Sequence, residues 1–241
     1  MKVLILGAGL GTRLRPITDF IPKVMVPIGG KPLLEHTICL LRDQGFNDFI
    51  INLHYRPEVI TSHFGDGSRF GVSIAYSDEA DVLLETGGAL KKAAKYLSDD
   101  FILIYGDHLH QFDFRPIVAL HKAYKGLATI VLKRSDHPQN GEVGEIDPET
   151  HLIKQWHVRP HAIQDYGKDM YVNSGLYVLS KKVLEFIPQG KAVKFDKEIV
   201  PQLVAQSAAY GFPTDEDILD IGTPEKYAFA EEWYKKRRGM A

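Results

Sequence analysis

One cysteine, Cys39, is all that the 241 residues contain, so no intramolecular disulfide can staple the fold, and a reducing compartment suits the chain. Set in the apolar pattern L-E-H-T-I-C-L-L, the thiol is expected to pack in a core. No apolar run approaches the length that spans a bilayer, and no charged-then-apolar leader opens the sequence, so cytoplasmic residence without a membrane partner is expected. Positive charge is not in excess either. Lys and Arg number 29 against 31 Asp and Glu, a formal net charge of -2, which gives no field for nonspecific nucleic-acid binding. Phosphate, if bound, must be met by individually placed residues. Neither a Gly/Ser/Pro-rich linker nor an internal repeat divides the sequence, which argues for one continuous domain over residues 1–241. The 10 histidines include no pair in a zinc-site context, so histidine ligation of a metal is not expected. His108 and His110 alternate along an extended segment, and His108 is the better placed for function. The basic run K-K-R-R at 235–238 closes a helix, where cations favour the dipole.

What is present is a regular alternation of strand and helix signals. Apolar runs near 2–6, 49–53, 72–76 and 101–105 read as strands, with helices near 32–45, 57–64 and 87–97 between them. That order predicts an α/β fold, a Rossmann-like mixed, mostly parallel sheet with helices on both faces. Ligands on such sheets sit at the carboxyl ends of strands. Beyond a helix near 114–124 and the strand A-T-I-V-L-K, the segments E-V-G-E-I, H-L-I-K-Q-W and M-Y-V-N-S-G-L-Y-V-L alternate, which predicts antiparallel additions. Thr223 as N-cap and Pro224 at the first helical position announce a last helix over about 224–238.

Residues 7–27 carry the strongest chemical signal: G-A-G-L-G-T-R-L-R-P-I-T-D-F-I-P-K-V-M-V-P follows directly on the first strand. Gly7, Gly9 and Gly11 allow a sharp turn and close approach to a ligand, and exposed N–H groups there form an anion cradle. A Walker loop needs Gly-Lys-Ser/Thr, but Thr12 and Arg13 follow Gly11. A dinucleotide fingerprint needs a third glycine where Thr12 stands and a helix opening at once, which Pro16, Pro22 and Pro27 oppose. The loop is long and brings its own cations, Arg13 and Lys23.

Together with P-K-V-M-V-P-I-G-G-K-P-L-L-E-H, L-E-T-G-G-A-L at 84–90, Y-G-D at 105–107, V-N-S-G-L-Y-V-L at 172–179 and D-I-G-T-P-E-K-Y at 220–227, this loop resembles the sugar-1-phosphate nucleotidylyltransferases, the NDP-sugar pyrophosphorylases. The compact length is most similar to the mannose- and heptose-1-phosphate guanylyltransferases. The resemblance implies the nucleotide-diphospho-sugar transferase fold, an NTP and a sugar 1-phosphate as partners, Mg2+ as cofactor, and release of pyrophosphate. It assigns catalysis to Arg13, Lys23 and Asp107, with Arg13 on the departing pyrophosphate and Lys23 on the phosphates around the reacting centre. The nucleotide falls to Leu6, Gly7, Ala8, Gly9, Gly11, Thr12, Arg13 and Lys23, with Glu85, Gly87 and Gly88 about the base. Asp107 and Asp220 match the metal carboxylates, and Gly144, Arg159, Asn173 and Gly175 the sugar-phosphate side. Residues 1–110 would then be mainly the nucleotide half and 111–241 mainly the sugar-phosphate half; a homo-oligomer is compatible with all of this.

Other readings attach to particular residues. Asp107 also suits a turn, Asp220 a brace on the last helix, Thr86 an N-cap, and Asn173 a polar brace within the sheet. The family's Glu-Lys-Pro is replaced by Val158-Arg159-Pro160: the guanidinium can still take a phosphate, but Val158 cannot accept a hydroxyl. N-G-E-V-G-E-I-D likewise replaces Tyr-Gly-Val-Val, leaving Gly141 and Gly144 as alternatives for the sugar pocket. L-E-T-G-G keeps a uridylyltransferase acting on N-acetylmuramate or glucose 1-phosphate open. A phosphocholine-type cytidylyltransferase shares the opening but not the T-G-G-A segment, and a noncatalytic nucleotide-sugar sensor would not need Arg13, Lys23, Asp107 and Asp220 together.

Overall fold

The structure, a computed structural model, describes residues 1–79, 82–135 and 137–239. In chain order it runs β1 (Lys2–Leu6), β2 (Pro27–Ile28), β3 (Lys31–Pro32), α1 (Leu33–Asp43), β4 (Asp48–Leu53), α2 (Pro57–Phe64), β5 (Ser73–Asp78), α3 (Glu85–Lys92), β6 (Asp100–Tyr105) and β7 (His108–His110). It continues with α4 (Phe114–Tyr124), β8 (Ala128–Lys133), β9 (Val143–Ile146), β10 (Ile153–His157), β11 (Met170–Ser180), α5 (Val200–Ala205), β12 (Ala209–Thr214), β13 (Ile218–Asp220) and α6 (Pro224–Arg237). The expected mixed sheet is present.

Two compact units share the chain. The first comprises Met1–Leu4, Leu83–Ile104 and Phe114–Asp215; the second comprises Ile5–Val82, Tyr105–Asp113 and the residues from Glu216 onward. Strands β1 and β6 pass from one unit to the other partway along their length.

In the first unit the strand order is β10-β9-β11-β6-β1, with β8 beside β11 and β12 beside β8. Here β11 runs antiparallel to β6, β8 and β9, and β10 antiparallel to β9, as the alternating segments predict. Phe101, Ile102, Leu103 and Ile104 are all fully buried, the pattern of a strand covered on both faces. Strand β12 is not among the elements expected from the sequence. It pairs in parallel with β8, and Gly211 and Pro213 within A-Y-G-F-P-T hide the strand signal; Pro213 is tolerated because it lies past the bridge that Tyr210 makes with Leu152 on the other side.

In the second unit the order is β1-β4-β5, with β4 and β5 parallel. A separate core of Leu14, Val26, Ile28, Leu33, Leu109, Ile221, Ala230 and Tyr234 ties the long loop after β1 to β7, β13 and α6. That packing fixes where Lys23, Asp107 and Asp220 meet, because each lies within three residues of one of these anchors. Helix α6 starts as expected: Thr223 Oγ1 accepts from the Lys226 N–H at 3.4 Å, with Pro224 following. Replacing Thr223 by Ala is expected to lower stability by about 1 kcal/mol, read as a lower denaturant midpoint at unchanged slope.

Two local expectations are corrected. Cys39 is half-buried rather than in the core, because α1 turns Leu34, Ile38 and Leu41 inward and leaves position 39 on its flank; partial burial still pushes its thiol pKa up. Thr86 is not an N-cap: α3 begins one residue earlier, at Glu85, and Thr86 Oγ1 instead accepts from the Phe195 N–H at 2.8 Å. A tertiary donor has taken the hydroxyl that a local one would otherwise use.

Candidate active site

The second unit gathers the glycine loop and both aspartates. At the end of β1, the Gly7 N–H donates to Asn52 Oδ1 at 2.5 Å, and Asn52 Nδ2 donates to Glu79 Oε1 at 2.9 Å. Asn52 and Glu79 are buried, so a polar relay anchors the loop to β4. Of the three glycines, only Gly11 has the left-handed backbone, at φ +63, and a Cβ there would stand 2.9 Å from Thr18 Cγ2. Gly7 serves close approach to the Asn52 carbonyl, and Gly9 faces open space. Thr18 Oγ1 donates to the Gly11 carbonyl at 2.7 Å and the Leu14 N–H to the same oxygen at 2.9 Å, which closes the turn. Leu14 is buried while Thr12 and Arg13 stay exposed, so the turn aims Arg13 outward.

Lys23 follows Pro22 at the start of a tight turn whose Val24 and Met25 are buried. Its Nζ donates to Asp107 Oδ2 at 2.7 Å and lies 3.6 Å from Asp220 Oδ1. Asp107 arrives through Gly106, where a Cβ would come within 2.7 Å of the Leu6 carbonyl and 3.0 Å of Val24 Cγ1. Asp220 is set by the antiparallel pair of β7 and β13, which puts it opposite His108. The Gly222 N–H donates to Asp220 Oδ1 at 2.7 Å, and Lys226 Nζ meets Asp220 Oδ2 at 2.6 Å. Arg13 belongs to the same group: a Cβ built on Gly222 would be 3.1 Å from Arg13 Nη2 and 3.2 Å from Lys23 Nζ.

Charge decides the protonation states. Burial works against an ionised Asp107, but the charges and hydrogen bonds of His108, 3.1 Å away, and Lys23 outweigh it and hold the carboxyl well below the usual carboxylate range. The His108 imidazole is raised for the reciprocal reason: Asp107 overcomes the effect of burial. Asp220 is also lowered, since Lys226, His108 and Lys23 outweigh its desolvation. Two ionised carboxylates therefore converge on one cationic point beside a glycine loop and an exposed arginine. Two hard oxygen donors of this kind fit Mg2+, which takes few protein ligands and completes its shell with water and phosphate oxygens. Asp107 and Asp220 would hold it.

In the first unit, the glycines of α3 lie against the segment 191–193. The Gly87 N–H donates to the Val193 carbonyl at 2.7 Å and the Val193 N–H to the Leu84 carbonyl at 3.1 Å. A Cβ on Gly87 would stand 3.0 Å from the Val193 oxygen, and one on Gly88 would collide with the Lys191 carbonyl. Glu85 takes φ +58, an uncommon backbone for a non-glycine residue. Asn173 Nδ2 donates to the Tyr177 hydroxyl at 2.6 Å, and its Oδ1 accepts from the Gly175 N–H at 3.1 Å, across an irregularity in β11 where Gly175 has φ +70. Asn173 thus braces the sheet. Gly144 lies under Trp156, and a Cβ there would stand 3.2 Å from its ring. Arg159 is exposed and donates to the Asn140 carbonyl at 2.6 Å.

The nucleotidyl transferase family model matches residues 2–237. The chain belongs to that family. It is 32% identical over 234 residues to the D-glycero-alpha-D-manno-heptose 1-phosphate guanylyltransferase of Aneurinibacillus thermoaerophilus, covering 96% of this chain and 97% of the relative. It is 33% identical over 240 residues to the UTP–glucose-1-phosphate uridylyltransferase of Synechocystis, covering 94% of this chain but only 61% of that protein's length. Among solved structures, HddC from Yersinia pseudotuberculosis complexed with GMP-PN superposes with a TM-score of 0.78 at 30% identity, covering 97% of this chain and 99% of that one.

Several structural partners in this member of the family were not found from the sequence. Asn52 had a signal, a polar residue inside the apolar run F-I-I-N-L. Lys226 had one only in hindsight of the fold, since its ion pair with Asp220 spans a helix start. Among the described residues no helix is long and apolar enough to cross a membrane.

Proposed function

We propose that the chain transfers a nucleotidyl group from an NTP to a sugar 1-phosphate, giving an NDP-sugar and pyrophosphate, with GTP and a heptose or mannose 1-phosphate as the pair. The observation that carries the reading is the convergence of Lys23, Asp107, Asp220 and Arg13 on one point beside the glycine loop. The acceptor's phosphate oxygen is already anionic, so its in-line attack on the α-phosphorus needs neither a protein base nor a covalent nucleophile. Positioning and charge stabilisation supply the rate. Lys23 would steady the phosphates at the reacting centre and Arg13 the charge that moves onto the leaving pyrophosphate. Asp107 and Asp220 would hold Mg2+, which when bound neutralises phosphate charge and orients the leaving group. Backbone N–H groups of residues 6–12 would receive the nucleotide phosphates and the segment Glu85–Gly88 the base. Arg159 would take the sugar phosphate, with Asn173, Gly175 and Gly144 about the sugar. Residues 1–110 would thus serve mainly the nucleotide and 111–241 mainly the acceptor, and the cytoplasm is where such substrates meet.

Similarity to the heptose guanylyltransferase along nearly its whole length, and to HddC complexed with GMP-PN, supports the guanine choice. Similarity to the Synechocystis uridylyltransferase favours a second reading, UTP with glucose 1-phosphate. A matrix of four NTPs against sugar 1-phosphates, read by pyrophosphate release, separates the two. Turnover is expected with GTP and heptose or mannose 1-phosphate, and chelation with EDTA should abolish it. Silence with every pair at millimolar Mg2+ would remove the enzymatic reading.

A further inference from the structure

The sheet face that carries Gly144 and Asn173 also carries a carboxylate that the sequence motifs do not point to. Antiparallel pairing sets His157 opposite Val143 and Trp156 opposite Gly144, and Glu142 and Val158 are the next residues beyond this paired stretch. On the other side, the Asn173 N–H donates to the Glu142 carbonyl at 2.9 Å. Side chains alternate along strands, so Glu142 shares a face with Gly144, Trp156 and Asn173, while Val143 is buried in the core. Asp196 lies over this face. It sits in the π-helical turn Phe195–Ile199, its carbonyl accepts from Trp156 Nε1 at 2.8 Å, and its carboxyl interacts with that of Glu142.

Glu142 is only 6% exposed, yet its Oε1 has no hydrogen-bond partner among the described residues. Lys197 Nζ forms an ion pair with it at 3.6 Å, too long for a hydrogen bond, and donates to the Arg159 carbonyl at 3.0 Å. A buried carboxylate oxygen without a donor is costly, and a site that keeps one is short of a donor that a ligand can bring. Burial first, and then the charge of Glu142, push the Asp196 carboxyl up to about 6. The two crowded acids together offer acceptors for hydroxyl donors.

We propose that Glu142, backed by Asp196, binds hydroxyl groups of the sugar 1-phosphate, and that the acceptor is a neutral polyhydroxylated sugar rather than one carrying its own carboxylate. Sugar hydroxyls would supply the missing donor at Oε1, and Glu142 the acceptor that Val158 cannot be. An acidic sugar would bring a third carboxyl group against two in a site shielded from water, where like charges repel strongly. This inference rests on the nucleotidyl-transfer reading.

The test is Glu142→Gln in the full chain, with acceptor and NTP saturation curves measured separately. The KM for the neutral sugar 1-phosphate is expected to rise about ten- to hundredfold, the loss of hydrogen bonds to a charged group. The KM for the NTP should stay within about twofold, with a melting temperature unchanged or raised because a buried charge is gone. N-acetylmuramate 1-phosphate should be a poor acceptor for the wild type and a better one for the variant. Asp196→Asn, which keeps the shape and removes the second acid, should raise the acceptor KM in the same direction. An unchanged acceptor KM in both variants, or equal rises in both KM values with a lowered melting temperature, would overturn the assignment while leaving nucleotidyl transfer standing. A wild-type chain inactive with every substrate pair would take both down together.

Discussion

Asp107→Asn is expected to lower turnover about 10³-fold while leaving the fold intact. The substitution keeps the side-chain shape and removes one charge from a site built on charge balance. Lys23 would lose its 2.7 Å partner but keep Asp220 at 3.6 Å. The side chain of Asp107 is 36% exposed, so water can solvate the neutral amide, and the melting temperature should move by no more than about 3 °C. Metal affinity should fall along with rate, since the variant has lost one of two hard anionic donors. Steady-state pyrophosphate release over a Mg2+ series, with thermal melts of both proteins, makes the comparison. Turnover within about tenfold of wild type would strip Asp107 of its role, because removal of a group that stabilises developing charge costs more than that.

A second large effect is expected far from the phosphates, at Gly88. A Cβ there would meet the Lys191 carbonyl and stand 2.8 Å from the Leu84 Cβ, and neither atom is the free end of a flexible side chain. Gly88→Ala must therefore move α3 away from the segment 191–193, breaking the Gly87-to-Val193 hydrogen bond of 2.7 Å. Overpacking of this kind costs about 1–3 kcal/mol, or roughly 3–10 °C in melting temperature for a chain of this size. Because Glu85–Gly88 is the segment proposed to meet the base, the KM for the NTP should rise along with the loss of stability. Gly9→Ala is the control: a Cβ there meets nothing within 4 Å, so its stability should stay within about 0.5 kcal/mol of wild type. A Gly88→Ala protein as stable as the control would contradict the packing account.

Much of the fold is legible in the order of the amino acids. The two-face burial of β1 and β6 follows from V-L-I and F-I-L-I, and Thr223-Pro224 set the start of α6 to the residue. Helix α2 begins and ends where its pattern says. Elements that escaped did so for identifiable reasons. Strand β12 contains Gly and Pro, and β7 and β13 are three residues each and pair across more than 100 residues of chain. Local propensity cannot register such a pair.

At the site, composition and spacing point to a phosphate loop, but only the resemblance to a family joins Arg13 and Lys23 to aspartates at 107 and 220. Even then the loop glycines look alike in the sequence, whereas Gly7, Gly9 and Gly11 serve different ends. Glu142 escapes notice because the departure at Val158 looks like a loss. Only the folded chain shows a buried carboxylate there, Glu142, beside Asp196 and Lys197.

The central claim is that the sugar-phosphate oxygen attacks the α-phosphorus of the NTP at the Lys23–Asp107–Asp220 cluster and expels pyrophosphate. It is tested most directly by running the reaction with sugar 1-phosphate labelled with ¹⁸O throughout its phosphate and weighing both products by mass spectrometry. The account predicts that the nucleotide sugar retains all of the label and the pyrophosphate none. Label in the pyrophosphate, or an unlabelled nucleotide sugar, would contradict it.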